Sequence, residues 1–152
     1  MYNKKFGKQD FKKIHPAGKL GSQLKTVQDI MLTGNKIPFV KEDLKMKTAI
    51  KRLTNKKLGI LIVQNKLKKT TGIITDGQIR RFNQKKIYLP TVKVRDIMTK
   101  NPISIDKNSL AVKALALMNN KKITSLCVHE QKNKFKTIGV LHIHNLLETD
   151  IS

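Results

Sequence analysis

The chain has 152 residues, 39% of them hydrophobic, which suits one compact domain or a fused pair of half-domains. It contains no run of 18 apolar residues and no apolar stretch after its basic start, so we expect neither a membrane span nor a secretory signal and predict a soluble cytoplasmic protein. Its one cysteine, Cys127, excludes an internal disulfide and lies in an apolar run, which predicts a buried side chain.

The net charge of +22 raises the question of nucleic-acid binding, because dense basic residues neutralise phosphates. Only Arg52, Arg80, Arg81 and Arg95 among the 32 basic residues are arginines, whereas base readout and bidentate phosphate contacts favour arginine. The lysines are spread over the whole chain, and aromatic residues make up 5% of it. A nucleic-acid partner is therefore not favoured, although a basic nucleic-acid-binding domain stays as an alternative.

Residues 1–24 are basic and stand outside the pattern that follows. A helical turn is predicted at residues 10–14, where Pro16 ends it, and Gly18 and Gly21 predict a loop. We interpret this segment as a linker that precedes two similar units.

Residues 25–90 are predicted to form the first unit. Its apolar residues Met46, Ala49, Ile50 and Leu53 recur at intervals of three and four, which predicts an amphipathic helix. The predicted order of elements is a strand at 38–40, that helix, strands at 58–63 and 72–75, and a helix at 77–84.

Residues 91–152 are predicted to form the second unit, with the same order of elements. The apolar residues Leu110, Ala114, Leu117 and Met118 predict its first helix. The other predicted elements are strands at 103–105, 124–129 and 135–141 and a helix at 145–148.

The two units reflect an internal duplication. The segment Val27–Met31 recurs as Val94–Met98 after 67 residues (98 − 31), and Gly72–Ile74 recurs as Gly139–Leu141 after the same shift (139 − 72). Between these anchors Lys56–Ile60 matches Lys121–Ser125 after 65 residues (122 − 57), so each half carries two residues that the other lacks, and we expect these insertions in connections. We predict an α+β fold in which two strand-helix-strand-strand-helix repeats pack as a pseudo-twofold pair. Grooves at their seam are candidate anion sites, because a helix that starts at a strand end presents free N–H groups.

The paired Asp-Ile-Met openings and the order of elements resemble tandem CBS domains, regulatory modules that bind adenine nucleotides or related ligands between two repeats. More narrowly, five ordered blocks resemble the C-terminal part of the KpsF/GutQ group of bacterial D-arabinose-5-phosphate isomerases. The blocks are HPAGKLG at 15–21, DIM at 29–31, TGNKIP at 33–38, TDGQIRR at 75–81 and GVLHIHNLL at 139–147. The resemblance covers nearly the whole chain.

This resemblance implies a regulatory CBS pair without the catalytic sugar-isomerase (SIS) domain, which in the family converts D-arabinose 5-phosphate to D-ribulose 5-phosphate for lipopolysaccharide biosynthesis. Residues 1–24 would be a remnant of that domain, and His15 would be its active-site histidine, a catalytic role that requires the missing domain. Alternatively, His15 is a loop residue before a proline. We therefore expect no isomerase activity from the chain alone and no required cofactor.

The resemblance also implies a set of ligand-binding residues, which we predict to be Thr75, Asp76, Arg80, Arg81, His142 and His144. Thr75 with Gln78 equally fits a helix capping box, and the two arginines equally fit a solvated helix face. Gln78 and Asn145 stand where CBS domains often have a ribose-binding aspartate, so adenosine nucleotides are not favoured. We predict no metal site, because the two histidines lack a convincing third ligand.

The pathway of the resembled family points to a downstream nucleotide sugar such as CMP-Kdo as the effector, since feedback requires a ligand that binds two states of an enzyme differently. We also expect a homodimer through the CBS pairs and contacts with the sugar-isomerase domain in a tetrameric parent enzyme. The alternative is a purely structural or oligomerising module without a ligand.

Overall fold

Two small sheets, each accompanied by helices, make up the described part of the chain. The structure is a computed structural model and describes residues 24–149. His15 and the turn predicted at residues 10–14 lie outside the described residues. The mixed α and β fold with one sheet in each repeat confirms the predicted fold class. None of the helices in residues 24–149 is long and apolar enough to cross a membrane.

The first repeat follows the predicted order of elements. They are α1 (Val27–Ile30), a 3₁₀ turn (Gly34–Lys36), β1 (Phe39–Lys41), α2 (Met46–Lys56), β2 (Ile60–Gln64), β3 (Thr70–Thr75) and α3 (Asp76–Gln84). β1 pairs parallel with β2, and β2 pairs antiparallel with β3. The α2 sequence forms a helix against this sheet because Met46, Ala49 and Leu53 bury one face.

The second repeat copies the first with small changes in its connections. Its elements are α4 (Val94–Ile97), β4 (Thr99–Lys100), β5 (Ser104–Asp106), α5 (Ala111–Lys121), β6 (Ser125–His129), β7 (Gly139–His142) and α6 (Ile143–Leu147). β5, β6 and β7 form a three-stranded sheet with the same parallel and antiparallel pairings. The two-residue differences fall before β1 and β5 and in the hairpins after β2 and β6, so the prediction that they lie in connections is confirmed.

The opening helices are exchanged between the repeats. Val27 of α1 is fully buried in the core of the second repeat, and its N–H donates to the Ser109 carbonyl at 2.8 Å. Val94 of α4 is fully buried in the core of the first repeat, and its N–H donates to the Leu44 carbonyl at 2.8 Å. In the same way β4 of the second repeat extends the first sheet beside β3. The exchange ties the two halves into one unit.

A third apolar cluster lies between the two sheets. It joins Ile60 and Ile62 of β2 to Cys127 of β6 and Val140 of β7, and all four residues are at most 2% exposed. The burial of Cys127 confirms the prediction from its apolar surroundings. This cluster forms the base of the seam between the repeats.

Three predicted elements need correction. The strand predicted at 135–141 begins only at Gly139, because its partner β6 ends at His129, and Phe135 is 59% exposed. Leu110 is the N-cap residue of α5 and 43% exposed, rather than part of the buried helix face. The last helix begins at Ile143, two residues earlier than predicted, and the short elements α1, α4 and β4 were missing from the prediction.

Candidate functional site

A cleft of about 710 Å³ opens at the seam between the two repeats. Equivalent segments of the two repeats contribute to its walls: residues within 57–60 and 75–81 of the first, and within 122–127 and 142–144 of the second. Residues within 99–103, which follow α4, close one side. Both α3 and α6 begin at this cleft, so two helix starts face a common space.

All six residues predicted to contact a ligand line this one cleft. Thr75, Asp76, Arg80 and Arg81 come from the first repeat, and His142 and His144 come from the second. Thr75 and His142 occupy the same position in the two repeats, directly before the first residue of α3 and of α6. The duplication therefore brings residues 67 positions apart in the sequence onto one cleft.

Thr75 and Gln78 form a capping box at the start of α3. The Thr75 hydroxyl accepts from the Gln78 N–H at 3.2 Å, and the Gln78 side-chain carbonyl accepts from the Thr75 N–H at 3.2 Å. The Gln78 side-chain amide also donates to the carbonyl of Ile97 at 2.6 Å. Gln78 is 7% exposed and does not line the cleft, so its role is to hold α3 against α4.

The cleft carries an excess of positive charge. Lys57, Arg80, Arg81 and Lys122 line it, and Asp76 is the one carboxylate among its described lining residues. With both histidines neutral, the lining therefore has three more positive than negative charges. This excess of positive charge favours a negatively charged ligand.

The loop between α2 and β2 is joined to the start of α3. The Asp76 N–H donates to the Gly59 carbonyl at 3.1 Å. Gly59 has a φ of +70°, and a Cβ at this position would lie 3.1 Å from the Asp76 carboxylate oxygen. Glycine is therefore required for both the left-handed backbone and the close approach.

His142 and His144 stack against each other at the rim of the cleft. Their ring centroids are 4.7 Å apart and their planes differ by 3°. The Nδ1 atom of His142 accepts from the His144 N–H at 3.1 Å, so the neutral ring carries its proton on Nε2. Burial, and secondarily the nearby His144, lowers the pKa of His142 below its usual value. The lowered pKa and the hydrogen bond to Nδ1 both favour a neutral His142, whose Nε2–H can donate one hydrogen bond.

Asn145 repeats the role of Gln78 in the second repeat. Its side-chain carbonyl accepts from the His142 N–H at 2.8 Å, and it does not line the cleft. Gln78 and Asn145, at the positions where an aspartate was considered in the sequence analysis, therefore each cap the start of a helix.

Sequence reasoning missed several residues that line the cleft. Lys57 and Lys122 end α2 and α5 in the left-handed conformation, with φ of 59° and 56°. The Ser125 hydroxyl is buried and has no hydrogen-bond partner in the described structure, so it is available to a ligand. Burial raises the pKa of Cys127 to about 12, so its thiol is neutral. The matched lysine pairs at the two helix ends were the signal that could have identified Lys57 and Lys122.

No other group of side chains in the described range stands out as a site. Within residues 24–149, no three His, Cys, Asp or Glu side chains come together as metal ligands would. A depression of about 540 Å³ lies near the start of β3 and is lined by Glu42, Asp96, Arg95 and other residues, none of which was predicted to bind a ligand. Its lining combines the basic residues Lys69, Arg95 and Lys100 with the carboxylates Glu42 and Asp96, whereas the charges of the seam cleft are mostly of one sign.

Comparison with known proteins reveals relatives along both repeats. The family model described as the CBS domain matches residues 27–85 and 94–151. Arabinose 5-phosphate isomerase KdsD of Yersinia pestis is 37% identical over 147 residues, which are 96% of this chain and 44% of that protein. An uncharacterized protein of Rickettsia prowazekii is 39% identical over 147 residues, again 44% of its length. The chain thus spans less than half the length of these relatives.

Solved structures resemble the fold at low sequence identity. An uncharacterized conserved protein from Pyrococcus horikoshii superposes with a TM-score of 0.74 at 23% identity and covers 86% of this chain and 95% of that chain. CBSX2 in complex with AMP superposes with a TM-score of 0.71 at 23% identity and covers 83% of this chain and 96% of that one. These likenesses concern the fold alone.

Proposed function

This chain belongs to the CBS domain family as a tandem pair of repeats, and we propose that it is a regulatory module that binds an anionic metabolite in the seam cleft. The observation that carries the proposal is the charge of the cleft, where Lys57, Arg80, Arg81 and Lys122 face a single carboxylate, Asp76. Charge-assisted hydrogen bonds from such groups to phosphate or carboxylate oxygens are among the stronger contacts in proteins.

The class of ligand that we propose is a nucleotide or a nucleotide sugar. The cleft volume of about 710 Å³ lies within the range of about 300–1,000 Å³ typical of small-molecule sites. Leu58 and Ile103 offer apolar surface for a base or sugar ring, while Thr75 and Ser125 offer hydroxyl groups. The AMP bound by CBSX2, a protein with a similar fold, supports a nucleotide as a kind of ligand. CMP-Kdo is our specific candidate.

We propose that the anionic group of the ligand lies against the first repeat. There Asp76, Arg80 and Arg81 line the cleft, whereas the equivalent residues of the second repeat are Ile143, Leu147 and Glu148. Those three residues offer no positive charge to an anion, and none of them lines the cleft. One ligand per chain is therefore expected.

We propose that the module regulates an arabinose 5-phosphate isomerase, because relatives of that name match 96% of this chain. The 152 residues carry the CBS pair, and the other half of those relatives has no counterpart in them. We therefore propose that the module acts on a sugar-isomerase domain, with His15 in the active site of that domain. The chain alone is expected not to turn over arabinose 5-phosphate.

The test is a thermal-shift and calorimetry panel on the 152-residue chain with AMP, ATP, CMP, CMP-Kdo and S-adenosylmethionine. Arg80→Leu, which installs the residue of the second repeat, is expected to weaken binding by about tenfold or more, the equivalent of about 1.5–3 kcal/mol for a lost charged hydrogen bond. Arg52→Leu is the matched control, because Arg52 does not line the cleft and Leu117 stands at its equivalent position. Absence of saturable binding by all five compounds contradicts the proposal and leaves a structural role.

A further inference from the structure

Two hairpin turns lie side by side, one from each repeat. The first turn, residues 65–69, joins β2 to β3, and the second, residues 131–136, lies in the connection from β6 to β7. The Thr70 N–H donates to the Phe135 carbonyl at 2.7 Å, and both turns contribute to the walls of the depression near the start of β3. We call these two segments the hairpin tips.

Each hairpin tip presents one large apolar side chain to solvent. Leu67 is 76% exposed and Phe135 is 59% exposed. The turn around Leu67 is fixed by Asn65, whose side-chain oxygen accepts from the N–H groups of Leu67 and Lys69, both at 2.9 Å. The Lys68 N–H donates to the Asn65 carbonyl, also at 2.9 Å. Because these backbone donors are satisfied within the turn, its geometry holds Leu67 at the tip.

Lysines surround the two apolar side chains. Six of the eleven tip residues are lysines, whereas the whole chain has 28 lysines in 152 residues (32 basic residues less four arginines). All six are exposed, and none of them forms an ion pair with a carboxylate of residues 24–149. They are Lys66, Lys68, Lys69, Lys132, Lys134 and Lys136.

The carboxylates beside the tips do not balance this charge. They are Glu42, Asp96, Asp106 and Glu130. Glu130 pairs with Lys107 at 2.7 Å, and Asp106 accepts from a backbone N–H of the second tip at 3.1 Å. Arg95 and Lys100 line the depression with the first two carboxylates. Together with the six tip lysines, nine basic side chains therefore face four acidic ones.

An apolar side chain among lysines fits the surface of an anionic lipid bilayer. Lysine ammonium groups are attracted to acidic headgroups, while leucine and phenylalanine gain by entering the boundary between headgroups and acyl chains. A nucleic acid would satisfy the lysines but would leave Leu67 in water, and the tips contain no arginine to bind phosphate in two places. The exposed apolar residues therefore favour lipid over nucleic acid.

We propose that the hairpin tips bind an anionic lipid surface, with Leu67 and Phe135 inserted among the headgroups. The seam cleft stays open in this arrangement. Strand β2 begins with Ile60, which lines the cleft, and ends with Gln64 next to the first tip, four residues or roughly 13 Å away. Lipid contact and ligand binding therefore use opposite ends of the same strands.

The first experiment is co-sedimentation of the 152-residue chain with vesicles at about 0.1 M salt, where charges are screened beyond about 10 Å. Vesicles of phosphatidylglycerol and phosphatidylcholine in equal parts are expected to bind the chain, and phosphatidylcholine alone is not. Leu67→Ser/Phe135→Ser, which leaves the charge unchanged, is expected to weaken binding at least about tenfold. The control Ile87→Ser/Tyr88→Ser removes two exposed apolar residues elsewhere and is expected to change binding less than about twofold.

A second pair of variants separates the tip lysines from the net charge of the chain. Lys66→Gln/Lys134→Gln is expected to weaken binding to the anionic vesicles by about tenfold or more, since a lysine at a membrane surface contributes about fivefold. The control Lys47→Gln/Lys51→Gln removes the same charge from exposed positions of α2 and is expected to weaken binding less than about threefold.

A fluorescence experiment reports insertion directly and does not depend on a loss of binding. The chain contains no tryptophan, so Leu67→Trp places a single indole at the first tip. Its emission is expected to shift to shorter wavelength when anionic vesicles are added. Tyr88→Trp, at a position that is 70% exposed, is expected to keep its emission wavelength.

The proposal is overturned if the parent chain fails to sediment with the anionic vesicles, or if Leu67→Ser/Phe135→Ser binds them as tightly as the parent. Equal emission shifts for Leu67→Trp and Tyr88→Trp are a third contrary result. A fourth is tighter binding to a single-stranded oligonucleotide than to vesicles, lost in Lys66→Gln/Lys134→Gln and retained in Leu67→Ser/Phe135→Ser, which would assign the surface to nucleic acid. None of these outcomes depends on a ligand in the cleft.

Discussion

The hydroxyl oxygens of Thr70 and Thr137 lie 2.6 Å apart in the buried seam between the repeats. The two residues occupy the same position in the duplicated pattern, 67 residues apart. The pseudo-twofold axis that relates the halves therefore passes close to this contact. A hydrogen bond has one donor and one acceptor, so the two equivalent hydroxyls must adopt different roles.

Removal of both of these hydroxyls is expected to destabilise the fold by less than the sum of the two single removals. Thr70→Val leaves the Thr137 hydroxyl buried without its oxygen partner, which should lower the free energy of unfolding by about 1–3 kcal/mol. Thr70→Val/Thr137→Val should cost less than the sum of the two single changes, since an apolar pair needs no partner. Urea denaturation measures all three, and Thr33→Val at an exposed position is the control. Strict additivity of the single changes would contradict the coupling.

The exchanged openings are expected to depend on two equivalent glycines. A Cβ at Gly72 would lie 2.7 Å from the Met98 sulfur and 2.8 Å from the Thr99 carbonyl oxygen, and a Cβ at Gly139 would overlap the Met31 sulfur. Each methionine belongs to the other repeat. Gly72→Ala and Gly139→Ala should each lower the free energy of unfolding by about 1–3 kcal/mol, because the backbone carbonyl cannot yield as a side chain can.

The control for this glycine pair is Gly77→Ala in α3. A Cβ there would meet only the Arg81 guanidinium at 3.4 Å, the flexible end of an exposed side chain. Alanine inside a helix reduces the freedom of the unfolded chain, so we expect a gain of about 0.5 kcal/mol. Thermal unfolding of the three variants distinguishes close packing at the seam from a general effect of losing glycine.

The sequence predicts the order of elements but not the exchange between the repeats. Val27 and Val94 follow the same apolar pattern whether they pack on their own sheet or on the other one, so periodicity cannot decide between the two arrangements. The strand-to-helix junctions are predictable, because Thr75 and Gln78 form a recognisable cap. Lys57 and Lys122 are not predictable as cleft residues from charge alone, because lysines at helix ends usually face solvent.

The stability of the fold is expected to fall as the pH drops below about 6.5. Burial lowers the pKa of both His129 and His142 from the usual 6.5, so the unfolded chain binds more protons than the folded one in this range. The stabilising contribution is fully present above pH 6.5 and is lost as the pH falls through the lowered values. For His142 a second cause acts, since a protonated Nδ1 cannot accept from the His144 N–H.

Thermal unfolding between pH 5 and pH 8 measures this dependence. His142→Asn retains a side chain that caps helices and is expected to flatten part of the pH profile. His144→Asn removes the lesser of the two causes that lower the pKa of His142, so it is expected to alter the profile less than His142→Asn does. A parent whose melting temperature is constant from pH 5 to pH 7 would contradict the assignment.

The two capping amides are expected to respond oppositely to conversion into acids. In Gln78→Glu the side-chain group that donates to the Ile97 carbonyl at 2.6 Å becomes an acceptor, so two oxygens oppose each other in a buried place. The free energy of unfolding should fall by about 2 kcal/mol or more. Asn145→Asp preserves the oxygen that accepts from the His142 N–H and adds negative charge at a helix start. The free energy of unfolding of this variant should therefore stay the same or rise.

Denaturant unfolding of both variants, with calorimetry against whichever nucleotide binds the parent, tests this difference. Neither residue lines the cleft, so ligand affinity measured on folded protein should change less than about threefold in either variant. If Gln78→Glu were as stable as the parent and bound a ribonucleotide more tightly, the residue would act on the ligand rather than on Ile97. In that case glutamine in place of the aspartate common in CBS domains would serve ligand recognition. The contacts of Gln78 instead assign it to the junction between α3 and α4, where its amide donates to the Ile97 carbonyl.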